Sequence, residues 1–136
     1  MAYATKSDLE QRLGIKNVAQ WADLDNDGDT AKINARITKA LSYASDLIDD
    51  RFSGTQYLVP LEEAVQGEGV GSRVIDWTCR LAGSWLYNLR AVDRETTVFA
   101  GVAEGVEEEI AKTIAGMIRI PCKRNDKINA PGIFIV

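Results

Sequence analysis

Three stretches of this chain repeat apolar residues at three- and four-residue steps, and that period constrains the fold more than any other feature. From Thr30 to Phe52 the positions are Ile33, Ile37, Ala40, Leu41, Ala44, Leu47, Ile48 and Phe52. From Ser72 to Leu89, Val74, Thr78, Leu81, Trp85 and Leu89 form one stripe, which Ile75, Ala82 and Leu86 widen. From Glu104 to Arg119 the face is Val106, Ile110, Ile114, Met117 and Ile118. This spacing places each set on one side of a helix. Faces this apolar do not stand alone in water. The expectation is an all-α fold, a small helical bundle of three main helices.

The residues between the stripes punctuate the chain. Ser7 and Glu10 have capping-box spacing, so a short helix is expected from Ser7 towards Leu13, with Gly14 stopping it. A second short helix follows through Val18, Ala19, Trp21 and Ala22. Asp23 to Asp29 form a polar turn, with Asp29 or Thr30 a ready N-cap for the long helix. Thr55 to Gly71, carrying Pro60, Gly67 and Gly69, reads as a long central loop. Ala91 to Gly105 is ambiguous, because Gly101 and Gly105 weaken a helix. Pro121 ends the last helix. The division expected is a helical domain over residues 1–121 and an extended C-terminal tail over 122–136.

Composition excludes several chemistries. The chain of 136 residues contains no histidine, which removes Ser-His-Asp and Cys-His arrangements and the commonest zinc ligand. Cys79 and Cys122 lack metal-ligand spacing, and Cys79, inside an apolar stripe, reads as a buried thiol. Net charge is −4 and the sequence pI about 4.9, which opposes tight binding to a phosphate backbone. No apolar run is long enough to span a bilayer, and Met1 to Lys6 lacks signal-peptide order. The expected place of synthesis is the cytoplasm, with no membrane partner.

A few segments are candidates for function. Asp23, Asp25, Asp27, Gly28 and Asp29 match the first seven positions of an EF-hand loop, so Asp23, Asp25, Asp27 and Asp29 are candidate Ca²⁺ ligands. The twelfth position is Asn34, where a bidentate glutamate belongs. The competing reading is an Asx turn that caps the long helix. Trp21, Trp77 and Trp85 lie on apolar stripes and read as core. Glu107 to Glu109 read as a solvated helix start that suits the helix dipole. Lys123, Arg124 and Lys127 form a basic cluster too small for a DNA site. Asp49 and Asp50, without a base or pocket, make no case for acid–base chemistry. Ile133, Phe134, Ile135 and Val136 form an uncharged, β-prone end suited to docking on a partner.

The opening Tyr3-Ala4-Thr5-Lys6-Ser7-Asp8-Leu9-Glu10-Gln11-Arg12-Leu13-Gly14 resembles the start of Mu-like phage and prophage small head-tail connectors. Asp23 to Asp29 resemble that family's aspartate-rich turn, Arg51-Phe52 its Arg-aromatic pair, and Pro60-Leu61 its "PL" step. Ile114-Ala115-Gly116 and Ile120-Pro121 are similar to the end of its last helix. The resemblance covers about residues 3 to 121. It implies an all-α fold and assembly as a homo-oligomeric ring of about twelve subunits. That ring would contact the portal protein on one side and tail or stopper proteins on the other, with DNA passing through its lumen. The expected role is a non-enzymatic structural one in the virion neck, with no required cofactor. Two other classes stay open on the aspartates: a small Ca²⁺-binding regulatory module, and a hydrolase or nuclease.

Overall fold

The computed structural model describes residues 2–90 and 100–125. Among these the order is α1 (Lys6–Leu13), α2 (Ile15–Ala22), α3 (Thr30–Phe52), α4 (Ser72–Arg90) and α5 (Ala100–Ile114). The fold is all-α, with two isolated antiparallel bridges, Tyr57 to Arg124 and Glu63 to Cys122. No helix among the described residues is long and apolar enough to cross a membrane.

The breadth of its apolar face puts α4 at the centre. Trp77, Thr78, Cys79, Leu81, Ala82 and Leu86 are all buried, nearly all the way around the helix, which marks an element enclosed by others. Helix α4 touches each of the other four helices. It runs antiparallel to α3: Phe52 stacks on Trp77 with ring centroids 6.0 Å apart, and Tyr43 stacks on Trp85 at 5.8 Å. Helices α1 and α2 close one side through Leu9, Val18 and Ala22, all fully buried. Trp21 meets Tyr87 edge-to-face at 5.5 Å. Val106 and Ile110 of α5 pack on another side. All three tryptophans join the core or pack against it, and Cys79 is a buried thiol, as the stripes imply. Two fully buried hydroxyls return to their own helices: Thr78 donates to the Val74 carbonyl and Thr113 to that of Glu109, each at 2.8 Å, so neither is left unsatisfied.

Two boundaries differ from the sequence expectation. The capping box lies two residues earlier: Thr5 accepts from the Asp8 N–H at 3.1 Å, and the Asp8 carboxylate accepts from the Thr5 N–H at 2.9 Å. Thr and Asp supply the same reciprocal pair that Ser7 and Glu10 suggest. The last helix runs from Ala100 to Ile114, not from Glu104 to Arg119. Gly116, at φ 87°, turns left-handed; its N–H reaches the Thr113 carbonyl and the Met117 N–H reaches that of Lys112. This Schellman pattern stops the helix before the apolar Met117 and Ile118 can extend it. At the other end, packing of Val106 and Ile110 carries the helix through Gly101 and Gly105 despite their low propensity.

The central loop is held by short-range bonds. Glu63 accepts from the N–H groups of Gly67 at 3.1 Å and Gly69 at 2.8 Å, which holds its carboxyl below the usual range. Residues 122–125, the start of the expected tail, pair with this loop. Lys123 donates its N–H to the Glu62 carbonyl at 2.8 Å and accepts from the Leu58 N–H at 3.0 Å. Cys122 is buried. The docking candidates Ile133 to Val136, and Lys127, lie outside the described residues.

Candidate functional site

Two segments of the family resemblance, the opening and the Pro60-Leu61 step, meet at Tyr3. Its hydroxyl donates to Asp49 of α3 and accepts from the Leu61 N–H at 2.7 Å. Its backbone N–H donates to Ser45 Oγ at 3.0 Å, and that hydroxyl in turn donates to the Leu41 carbonyl at 2.8 Å. One side chain therefore ties the N-terminal opening, the last turns of α3 and the Pro60-Leu61 step together. Burial, with the Asp49 bond, pushes the Tyr3 phenol up. Burial is also the main cause that raises the Asp49 carboxyl. A carboxyl raised in the folded state binds its proton more tightly there than when unfolded. Its contribution to stability therefore falls as pH rises from the ordinary aspartate range through the folded value. Tyr3→Phe removes the hydroxyl and strands the Leu61 N–H and one Asp49 oxygen. We expect a loss of about 1–3 kcal/mol, measured as a lowered urea midpoint with helical content unchanged.

The aspartate loop is a self-contained cap. Asp23 accepts from the Asp27 N–H at 3.2 Å and the Gly28 N–H at 3.1 Å. Asp27 accepts from the Asp29 N–H at 3.1 Å. Asp29, the N-cap of α3, accepts from the N–H groups of Ala31 at 3.0 Å and Lys32 at 3.3 Å. Asp25 pairs with Arg36 at 2.9 Å and with Lys32 at 3.7 Å, and Lys32 also meets Asp27 at 3.0 Å. The Arg36 bond is the main cause that lowers the Asp25 carboxyl; for Asp27 it is the Asp29 N–H, followed by Lys32. Asn34 lies within α3. Among the described residues no three His, Cys, Asp or Glu side chains gather where they could hold a metal ion. A Ca²⁺ ion at this loop would have to displace backbone donors and two cations. The expected result of a calorimetric Ca²⁺ titration is no binding heat and no shift in melting temperature. A chelator-sensitive melting temperature, lost in Asp25→Ala with Asp27→Ala, would restore the Ca²⁺ reading.

The acidic run on α5 is not simply a solvated helix start. Glu109 bonds Arg73 at 2.8 Å, Trp77 Nε1 at 3.1 Å and Arg80 at 3.4 Å. Burial pushes its carboxyl up, but the Trp77 and Arg73 hydrogen bonds and the two arginine charges outweigh that and hold it low. Arg80 also pairs with Asp76 at 2.9 Å, the i,i+4 pair visible in the sequence, and Arg12 approaches Asp76 at 3.7 Å. Glu107 pairs with Arg51 at 2.7 Å. Glu109 thus fastens α5 to α4. Its only signal in the sequence is its place one turn from Val106 and next to Ile110, at the edge of the apolar face.

A shallow groove of about 510 Å³ opens at the bundle end, where the central loop meets the segment after α5. Ala64, Val65 and Pro121 supply apolar wall; Arg119, Lys123 and Arg124 supply three cations, and no carboxylate lines it. Lys123 reaches Glu62 at 3.3 Å. Arg124 lies over the Tyr57 ring at 5.3 Å, a cation–π contact.

These features define a small all-α protein with a stapled N-terminus, a capped aspartate loop before α3 and a Glu109 that ties α5 to α4. The family model described as Bacteriophage Mu, Gp36 matches residues 3–125, and the chain belongs to that family. It is a Mu-like phage protein with a structural or morphogenetic place in the phage. A comparison with curated proteins finds no match.

Proposed function

We propose that this protein is a head-tail connector, a head-completion or neck adaptor of a tailed phage or prophage. In this reading it forms a homo-oligomeric ring in the virion neck, between the portal protein and tail or stopper proteins. DNA passes through the lumen without sequence readout, and no catalysis is involved. The observation that carries the reading is the family match over residues 3–125, which spans the segments stapled together at Tyr3. The physical features are compatible with it. A net charge of −4 repels the DNA backbone and lets it slide. A buried all-α core gives each subunit a fixed shape.

The test combines native mass spectrometry of the purified chain with immunogold imaging of particles. A closed ring of about twelve copies, with label at the neck, supports the reading. A chain that remains monomeric at high concentration and is missing from the neck would overturn it, as would turnover of phosphodiester substrates.

A further inference from the structure

We infer that the cationic groove at the α3 C-terminal end receives the Asp23–Asp29 loop of a neighbouring copy, making a head-to-tail contact between subunits. The inference rests on the ring reading above and assigns its interface.

The groove has what such a contact needs. Among the described residues Arg119 and Arg124 pair with no carboxylate, while Lys123 pairs with Glu62; the Arg124 Nε atom is buried without a hydrogen-bond partner. By contrast Arg73, Arg80 and Arg12, the other cluster of arginines, are each engaged by Glu109 or Asp76. The surface around the groove is also unusually apolar for an exposed end. Val65, which lines it, is 53% exposed, and Leu58, Val59 and Met117, on the two segments that form it, are 38%, 39% and 78% exposed, together four of the seven large exposed hydrophobics among the described residues. Apolar surface with a cationic rim fits a protein partner better than a bare phosphate backbone.

The occupant follows from charge. The loop Asp23–Asp29 carries four carboxylates in seven residues, and among the described residues Asp25 and Asp27 pair with Lys32 and Arg36. Asp25 and Asp27 are about half exposed, with side chains at 47% and 42%, and each of these two carboxylates keeps acceptor positions beyond the bonds it already makes. The loop precedes the first residue of α3, whereas the groove lies beyond its last. With 23 residues, α3 is about 35 Å long, and the loop and the groove lie off its two ends. One copy cannot bring them together. Two different, complementary surfaces on one chain make a heterologous contact, the kind that closes into a ring when the rotation per subunit allows.

Charge reversal tests this. Native mass spectrometry and light scattering would be run on the full chain, on Arg119→Glu with Lys123→Glu, and on Asp25→Lys with Asp27→Lys. Asp25→Lys alone is a milder loop variant that leaves the capping bonds of Asp23, Asp27 and Asp29 in place. Circular dichroism confirms that each folds. Each reversed variant is expected to assemble at least about tenfold more weakly than wild type, with wild-type assembly itself weakening as salt rises. Mixing the groove-reversed and loop-reversed variants is expected to restore assembly, because every contact then joins opposite charges. If wild type assembles and the folded reversed variants assemble equally well, the interface is wrong while the ring reading stands. If both variants fail and their mixture fails too, the groove and the loop are not partners. If wild type never assembles, the ring reading falls and this interface with it.

Discussion

Trp77→Ala is expected to destabilise the protein by about 3–5 kcal/mol, a large share of the roughly 5–15 kcal/mol that holds a domain together. Trp77 is fully buried where three helices meet. Its ring stacks on Phe52 of α3, and its indole N–H donates to Glu109 of α5. Truncation removes the largest buried side chain and leaves a cavity that the surrounding helices fill only in part. It also takes one donor from the Glu109 carboxylate. Trp77→Phe keeps most of the stacked area and loses only that donor, so it should cost about 1–2 kcal/mol. Urea unfolding followed by far-ultraviolet circular dichroism measures both. Equal midpoints for wild type and Trp77→Ala would contradict the junction of α3, α4 and α5 described above.

Gly71→Ala is the second substitution with a large expected effect, and it acts through the backbone. Gly71 sits just before α4 at φ +99°, where an L side chain is strained. A Cβ there would lie 2.7 Å from both Cδ and Cγ of Pro121, inside van der Waals contact. Left-handed strain costs about 1–2 kcal/mol and overpacking about 1–3 kcal/mol, so the expected loss is about 2–5 kcal/mol. Gly67 separates the two causes. It has φ +86° and open space around it, so Gly67→Ala should show the strain alone. A second check is Pro121→Ala, which removes the clashing atoms; the Gly71→Ala penalty should shrink in that background. If Gly71→Ala and Gly67→Ala cost the same, the close approach of loop and proline plays no part.

The Pro121 contact also shows why the groove is built as it is. The Pro121 carbonyl accepts from the Ala64 N–H at 3.0 Å, and Asn125 donates to the Gln56 carbonyl at 2.7 Å. The segment after α5 is thereby held along the central loop, which places Arg119, Lys123 and Arg124 on one wall. Without that registry the three cations would be scattered charges on a connecting segment.

The features legible in the amino-acid order are local and periodic. The apolar repeats of α3 and α4 give their bounds to within a residue, because a broad stripe turns on the helix surface at a period that no strand shares. Gly14 ending α1, Asp29 capping α3 and the Asp76–Arg80 pair follow from neighbours a few residues apart. The aspartate loop is legible as a capping turn and, less fully, as the first seven positions of a metal loop whose twelfth is Asn34; the choice between those depends on where each oxygen points. Tertiary structure decided everything that joins distant residues. The stop at Gly116 competes with the apolar Met117 and Ile118, and left-handed backbone wins through two hydrogen bonds that periodicity does not register. Tyr3 meets Asp49 and Leu61 across 46 and 58 positions. Glu109 meets Arg73, Trp77 and Arg80 across 36, 32 and 29. In sequence these residues are a tyrosine in an opening motif and one acid among three. Only the packing of α5 and the N-terminus against the α3–α4 pair makes them partners, because a hydrogen bond depends on ångström-scale placement and a helical period records only which side a residue faces.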